Sequence, residues 1–396
     1  MNKDQAAAIL MKLTHDSKPK RIALDLRRIK NPGIGRYMKC LVESLLARGP
    51  KHHYLLIMLR GTEEMISVTA NCAEKLPVNL KYYSLREQIE LPGLLRTHGA
   101  DLLHSPHFML PLRCPCPAVT TIHDVIYLAC KEDLHSWIGR LYYKKMMAAS
   151  VRSADRIITD SKFSQQDIIH YLNADPAKID VIYPAVAAEF LQATDEERLQ
   201  RVRSRYGIGG KFVLYTGIFK PRKNHAGLFR AFKHLSSAVR DAQLVIAGPA
   251  DESQAALRNL ARELGIGEKV AFTGFVEEAD LPTLYSAAHI YACPSLYEGF
   301  GFTVLEAMAC GVPVVCSPET SLPEVAGDAA LYADARNPEQ FGGALARLWN
   351  DHDLRNSMMK KGFENVRRFS WERTAEQTLA IYDQVLGMCS ERTVQP

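Results

Sequence analysis

From residue 20 onward, short apolar runs alternate with segments of helical spacing. Residues 22–26, 54–59, 102–104, 118–122, 156–159 and 179–182 are runs of strand length bounded by polar or turn residues. Between them, residues 33–48 place Ile34, Tyr37, Leu41 and Leu45 on one helical face and stop at Gly49. Residues 137–153 and 164–171 read as further helices. The stretch 191–205 (LQATDEERLQRVRSR) is polar and charged and runs into Tyr206-Gly207-Ile208-Gly209-Gly210, which marks a domain boundary. The alternation then restarts, with strands at 212–216, 243–247, 270–273, 290–293 and 312–316. Helices follow the same rhythm at 227–235, 255–264, 281–288 and 302–310, and the chain is helical from Gln340 on. This order implies the α/β class: two doubly wound parallel sheets, each with helices on both faces. The expected domains span 20–195 and 206–372, preceded by a flexible leader, 1–19. Ligands of such sheets sit outside the carboxyl ends of the strands, so the chemistry is expected in those loops, at a cleft between the domains.

Composition narrows the class. A chain of 396 residues suits two domains, and 47% apolar with 23% charged residues is ordinary for globular proteins. The net charge, 49 − 44 = +5, falls well short of a nucleic-acid footprint, so no nucleic acid is expected as a partner. Nine cysteines are too dilute for a disulfide scaffold, and the spacing Cys114-Pro-Cys116 fits neither a zinc knuckle nor a redox pair. Reduced thiols in a cytoplasmic protein are the simpler reading. The apolar stretch 6–11 is too short for a secretory signal, and no run of 18 apolar residues is present to span a membrane.

Four stretches carry candidate chemistry. In CPSLYEGFGFTVLEAMACGVPVVC (293–316) a buried strand leads into Glu298-Gly299-Phe300-Gly301 and then a helix that holds Glu306. Two glycines let the backbone approach a ligand closely, and the N–H groups at the helix start favour an anion. A plain strand–turn–helix with one acidic residue near the helix dipole explains Glu298 but not Glu306. In FVLYTGIFKPRKN (212–224) the strand ends at Gly217, and Lys220, Arg222 and Lys223 precede a helix that Asn224 is placed to cap. Three cations at a strand end suit a diphosphate, with Arg as a fork and Lys as a point charge, although a solvated basic turn has the same composition. Asn31-Pro32-Gly33-Ile34-Gly35-Arg36 follows the first strand like a dinucleotide fingerprint but has Met38 where the third glycine belongs. It therefore reads as a glycine-rich turn against a sugar or phosphate. Finally, His123 ends a strand in Thr121-Ile122-His123-Asp124, either facing the cleft or tied structurally to Asp124, while His104 and His107 end another strand on the acceptor side. Asp351-His352-Asp353 matches a metal pattern in form only; it lies between two helices and reads as a helix cap, so no metal is expected.

With these residues in place, the chain resembles retaining glycosyltransferases of family 4, which have the GT-B fold and carry an EX7E signature. PSLYEGFG…LEAMACGVPVV carries that likeness. So do GIGRY (33–37), HSPHFMLPL (104–112), TIHDVIYL (121–128), DSKFSQQDI (160–168), VIYPAV (181–186), YTGIFKPRKN (215–224), FTGFV (272–276) and SLPEVAGDAALY (321–332), in the family's order. The flavour is closest to bacterial mannosyltransferases of surface polysaccharide synthesis. The resemblance implies a nucleotide-sugar donor, GDP-mannose in the first instance and a UDP-sugar as the alternative, with a glycan or lipid-linked acceptor. It also implies roles. Glu306 would hold the ribose hydroxyls and Glu298 those of the donor sugar, with backbone N–H groups of Phe300 and Gly301 near sugar and phosphate. Arg222 and Lys223 would neutralise the diphosphate with Lys220 as helper, Phe275-Val276 would meet the base, Gly33 and Gly35 would crowd the phosphate, and His123 would lie near the reacting carbon. The final helix, 374–388, would pack back on the first domain. Two departures stand out: Phe302-Thr303-Val304 replaces the family's Leu-Pro-Pro, and Ile218 stands where many members have Arg after the strand-end glycine. Other classes fit less well. A nucleotide-sugar epimerase needs no acceptor site, a non-catalytic binder would have lost the cleft Glu or Lys, and a nicotinamide dehydrogenase needs the third glycine. A basic, aromatic segment, 135–156, reads either as a helix whose apolar face packs on its own sheet, the slightly favoured reading, or as peripheral contact with the inner face of the cell membrane.

Overall fold

The computed structural model describes residues 19–49, 51–68, 71–134 and 136–392. The expected leader, 1–19, therefore lies outside the described residues except for its last position. No helix among the described residues is long and apolar enough to cross a membrane.

Among the described residues, thirteen strands form two sheets of parallel strands. The first seven are β1 (Arg21–Asp25), β2 (His53–Leu59), β3 (Ala73–Val78), β4 (Leu102–Ser105), β5 (Ala118–Thr121), β6 (Arg156–Thr159) and β7 (Ile179–Val181). Their order is β3-β2-β1-β4-β5-β6-β7. The remaining six are β8 (Phe212–Thr216), β9 (Gln243–Ala247), β10 (Val270–Gly274), β11 (Ile290–Cys293), β12 (Val314–Cys316) and β13 (Ala330–Tyr332), in the order β10-β9-β8-β11-β12-β13. Each sheet starts at its centre, runs outward on one side and then crosses to the other. That places a switch point between β1 and β4, and another between β8 and β11, where ligands of such sheets bind.

The chain divides into two compact units. One holds the described residues through Thr121, Ser153–Arg156 and those from Thr378 on; the other holds Ile122–Arg152 and Ile157–Gln377. The helix Trp371–Arg392 contributes to both. Within the first unit its Tyr382 hydroxyl lies 2.6 Å from Nδ1 of His104, whose Nε2 meets Thr121 Oγ1 at 2.9 Å. His104 is thus buried and held on both ring nitrogens.

In the second unit the core forms because apolar positions repeat at helical and strand spacing. Helix His225–Ala238 buries Leu228, Phe229, Phe232 and Leu235 on β8 and β9, and turns Arg230, Lys233 and His234 outward. Helix Pro338–Asn350 adds Phe341, Leu345 and Leu348 to the same cluster. Each large apolar side chain buried here contributes about 1.5–3 kcal/mol. The stretch expected as a linker is instead partly a helix, Glu196–Arg205. Its composition explains both facts. Only Val202 is buried, so no apolar stripe announces it, but Asp195 accepts the N–H groups of Glu197 and Arg198 at 3.1 and 3.2 Å. Glu196 and Glu197 occupy the first turn and Arg203 and Arg205 the last, which matches the helix dipole. Arg205 and Tyr206 both reach Asp280, at 2.8 and 3.0 Å.

Candidate functional site

The loops that leave β8 and β11 flank the switch point of the second sheet. After β8, Gly217 hydrogen-bonds through its N–H to Ala247 and turns the chain. Ile218 is exposed, Phe219 is buried, and Lys220 leads half-buried into the single turn Pro221–Lys223. Asn224, at φ 52°, then caps helix His225–Ala238 by accepting the N–H of Gly227 at 3.2 Å, as its position in the sequence predicts. The turn places Arg222 and Lys223 side by side at the strand end. The N–H of Leu296 in the β11 loop donates to the carbonyl of Arg222 at 2.7 Å, so the two loops are tied together through their backbones.

Each cation has a carboxylate partner. Nζ of Lys223 lies 2.5 Å from Oε1 of Glu298, with the side chains 13% and 12% exposed. Nη1 of Arg222 donates to Oδ2 of Asp133 at 2.6 Å, with side chains 12% and 2% exposed. Nε of Arg222 and the second oxygen of Asp133 are buried without a partner. Burial by itself would raise Glu298, but the Lys223 ammonium, helped by Ser295 and Arg222, holds it below the usual carboxylate range. Glu298 is therefore an anion at neutral pH whose partner is a neighbouring, partly accessible cation.

The Glu298 loop is fixed through its carbonyl oxygens. Ser321 Oγ lies within hydrogen-bond distance of the carbonyls of Glu298, 2.9 Å, and Phe300, 2.8 Å. Ser161 and Ser164 donate to the carbonyl of Gly299 between them, at 2.6 and 2.9 Å. Gly301 follows at φ 105°, a conformation that L side chains rarely adopt, and opens the helix Phe302–Ala309. No side chain caps that helix, so its first N–H groups are left to a ligand. The Phe300 ring packs on Phe302 and Phe369, with centroids 5.1 and 5.7 Å away, which leaves only its backbone for recognition.

Glu306, one turn further on, is 3% exposed. Its Oε2 accepts the Tyr285 hydroxyl at 2.9 Å, and Tyr285 in turn lies 2.6 Å from Thr216 Oγ1 at the end of β8. At the other side of the switch point, β10 ends at Gly274, followed by Phe275, which is 63% exposed, and buried Val276. An aromatic ring held in solvent at a strand end is the kind of surface on which a base stacks.

His123 is in the same unit. Its Nδ1 lies 2.7 Å from Oδ2 of Asp160, and the side chains are 15% and 3% exposed. His123 is thus hydrogen-bonded to a carboxylate distant in sequence, while the adjacent Asp124 also interacts with it electrostatically. Asp124 accepts the N–H of Ile126 at 3.0 Å, and burial raises its pKa. Sequence reasoning gave Asp160, Ser161 and Ser164 no roles, although the segment DSKFSQQDI (160–168) holds all three. The same is true of Glu324 in SLPEVAG, whose carboxylate accepts the N–H groups of Lys162 and Phe163 at 2.8 and 3.2 Å and the Tyr183 hydroxyl at 2.7 Å. Asp133 carried no motif at all.

Gly33 and Gly35 belong to the first unit. Gly33, at φ 77°, precedes helix Ile34–Ala47. A Cβ on Gly35 would stand 1.9 Å from the carbonyl oxygen of Ile29, so this glycine is required by the chain's own backbone whatever binds nearby. Asp351 caps helix His352–Val366 by accepting the N–H of Leu354 at 2.9 Å, in keeping with its reading as a cap.

Comparison with known proteins agrees with this arrangement. A family model for glycosyl transferases group 1 matches residues 199–365, and one for glycosyltransferase family 4 matches residues 32–190. The chain is 35% identical over 309 residues to O-antigen chain mannosyltransferase B of Escherichia coli, covering 77% of this chain and 80% of that protein. Among solved structures it is similar to sucrose-phosphate synthase from Thermosynechococcus elongatus, with TM-score 0.74 and 21% identity over 93% of this chain and all of the other. It is also similar to Anabaena Alr3699/HepE in complex with UDP and glucose, with TM-score 0.73 and 18% identity over 92% of this chain and all of the other. Two sheets with matching switch points, the glycine loop between Glu298 and Glu306, and these likenesses converge: the chain belongs to the family 4 glycosyltransferases and has their GT-B fold.

Proposed function

We propose that the protein is a retaining, metal-independent hexosyltransferase. It moves mannose from GDP-mannose to a glycan or lipid-linked acceptor in cell-surface polysaccharide synthesis. The observation that carries this reading is the Lys223–Glu298 pair at the β8/β11 switch point, beside Arg222 and an uncapped helix start. A nucleoside diphosphate leaving group gathers negative charge as the sugar departs. Lys223, Arg222 and the N–H groups after Gly301 lie on the two loops of the switch point, where they would stabilise that charge. The phosphate would draw Lys223 toward itself and release Glu298 to accept sugar hydroxyls. Glu306 would take the ribose hydroxyls, and Phe275-Val276 the base.

Retention follows from attack on the face that the diphosphate leaves. The acceptor oxygen forms its bond to the anomeric carbon as the carbon–phosphate oxygen bond breaks, and the acceptor proton passes to the departing phosphate oxygen. Glu298 is not assigned as a covalent nucleophile, because once Lys223 has turned to the phosphate its charge serves the sugar hydroxyls. His123, oriented by Asp160, lies against the transferred sugar. Arg222 and Lys223 supply the positive charge for which other transferases recruit a divalent metal.

The mannosyltransferase relative supports mannose as the transferred sugar, with GDP as the proposed carrier, and UDP, as held by the Anabaena protein, is the alternative. Peripheral membrane contact belongs to the same proposal. Helix Trp137–Ser153 buries Met147, Ala149, Ser150 and Val151 in its second half, while Trp137, Ile138, Leu141 and Tyr142 of the first half are exposed beside Lys144 and Lys145. This pattern matches an anionic lipid surface at the cytoplasmic face. A thermal-shift panel of GDP, UDP, ADP and dTDP tests the donor. At 100 times its dissociation constant the right nucleotide stabilises by about 2.7 kcal/mol. GDP is expected to give the largest shift; a larger one with UDP replaces the donor, and none with any nucleotide overturns the reading. NMR of the first-formed product reports whether the anomeric configuration is kept.

A further inference from the structure

Next to the switch point, a cavity of about 460 Å³ opens, and apart from Arg222 its walls have no part in the donor chemistry. One wall is a stripe on helix Lys162–Leu172: Phe163, Asp167 and Tyr171 follow one another at intervals of four and so share a face. The opposite wall is Leu296 and Tyr297, just before Glu298, with Pro221 and Arg222; Cys130 and Glu132 complete the rim. Phe163 and Tyr297 meet edge to face with centroids 5.5 Å apart. The Tyr297 hydroxyl donates to Oδ2 of Asp167 at 2.6 Å, and Oδ1 of Asp167 has no partner among the described residues.

The chemistry of these walls selects a ligand class. Aromatic rings offer flat apolar faces, and carboxylates accept hydrogen bonds but do not give them. A pyranose ring has the complementary surface: a face of C–H groups and a perimeter of hydroxyl donors. A phosphate or other anion would be repelled by Asp167 and Glu132, while the two guanidinium groups of the lining, Arg222 and Arg336, are already paired with Asp133 and Glu319. A cation would meet Arg222. The volume is sufficient for one or two sugar rings, and Arg222 and Tyr297 belong to the donor loops themselves, so a glycan seated here lies beside the reacting centre.

We propose that this cavity is an acceptor subsite that binds a pyranose ring of the growing glycan other than the one that reacts, with Tyr171 and Phe163 against its face and Asp167 accepting its hydroxyls. The proposal rests on the transferase reading above and goes beyond it by specifying a carbohydrate acceptor of at least two sugars. It makes the enzyme sensitive to acceptor length without any change at the donor site.

The test uses linear α-mannosides of one, two and three residues as probes, against the full chain and three variants: Tyr171→Ala, Tyr171→Phe and Asp167→Asn. Asp167→Asn keeps an oxygen for the Tyr297 hydroxyl and so preserves the local fold. The expected result is that KM for the two- and three-residue probes rises about tenfold in Tyr171→Ala and Asp167→Asn, equivalent to about 1.4 kcal/mol of binding. KM for the one-residue probe and the thermal shift with GDP or UDP stay at wild-type values, and Tyr171→Phe, which keeps the ring, restores the longer probes. An unchanged dependence on acceptor length in both variants overturns the subsite. If no nucleotide shifts the wild-type protein, the transferase reading fails instead. Saturation-transfer NMR with the same mannosides then still decides the cavity: contact with the trisaccharide that Tyr171→Ala abolishes supports it, and contact unaffected by the substitution, or absent from wild type, refutes it.

Discussion

Both sheets follow one winding rule, and both bury charges where the winding reverses. At the end of β1, Arg27 is closed on all sides. Its Nε and Nη2 donate to Asp25 at 2.8 and 2.6 Å, Nη2 also reaches Glu87 at 2.6 Å, and Nη1 meets the Leu80 carbonyl at 3.2 Å. The Tyr82 ring covers the guanidinium at 4.3 Å, and the three charged side chains are 0–2% exposed. At the end of β8, Arg222 makes one side-chain hydrogen bond and leaves Nε without a partner, and the Lys223–Glu298 pair stays 12–13% exposed. In the first cluster every guanidinium nitrogen has a partner. The second is incomplete by construction and open enough for its partners to be exchanged. Buried charge at a strand end is thus a structural device where every nitrogen is engaged and, under the proposed function, a binding device where one is not.

That contrast predicts opposite phenotypes. Arg27→Met leaves Asp25 and Glu87 as uncompensated buried carboxylates, which typically costs about 3–5 kcal/mol. Chemical denaturation is expected to show a loss of that size, with nucleotide affinity unchanged in whatever fraction remains folded; wild-type stability would erase the distinction. Lys223→Ala and Glu306→Ala are expected to stay folded and lose transfer by about 10²–10³-fold, the usual effect of removing one preorganised charge-stabilising group. Initial rates against donor concentration measure it, and full activity in purified Lys223→Ala defeats the phosphate assignment.

A smaller effect sharpens the same region. His225 opens the helix after Lys223, and burial against Tyr215 and Phe219, with Lys223 adding repulsion, lowers it to about 4. An unfolded chain keeps its histidine near 6.5, so between these values the unfolded state binds more protons and stability rises with pH. The His225 contribution is complete above about pH 6.5 and lost as pH falls toward 4. His225→Phe should flatten the acid limb of a Tm–pH profile, though not abolish it, because burial also lowers His289 to about 4. The smallest expected change tests metal independence. EDTA should leave turnover nearly unaltered, and Asp351→Asn with Asp353→Asn should be almost silent in activity. Loss of turnover in EDTA and its return with Mg²⁺ or Mn²⁺ would show that Arg222 and Lys223 do not suffice.

Much of this was readable from spacing, and the exceptions have physical causes. Strands β8, β9 and β11 coincide with the sequence reading because each carries an apolar run, and helix Trp137–Ser153 has the expected bounds as well. β3 escaped notice because it contains Glu74, Lys75 and Pro77 and buries only Val78. Helix Glu196–Arg205 was hidden because charge and capping, rather than an apolar stripe, define it. In the site, Lys223, Arg222, Glu298 and Glu306 announced themselves through local motifs. Their partners did not: Asp160 lies 37 residues from His123, and Asp133 lies 89 from Arg222. Such pairings depend on which loops the sheet order brings together, and no local window contains that information.

The serine contacts to the Glu298–Phe300 carbonyls have a consequence for descent. Because Ser161, Ser164 and Ser321 grip the main chain, the path of this loop does not depend on the Glu298 side chain itself. Under the proposed role of Glu298, a single codon change there would alter what the loop offers a sugar while its course is inherited intact. On that reading, a lineage built on this frame would trade one hexose for another in small heritable steps.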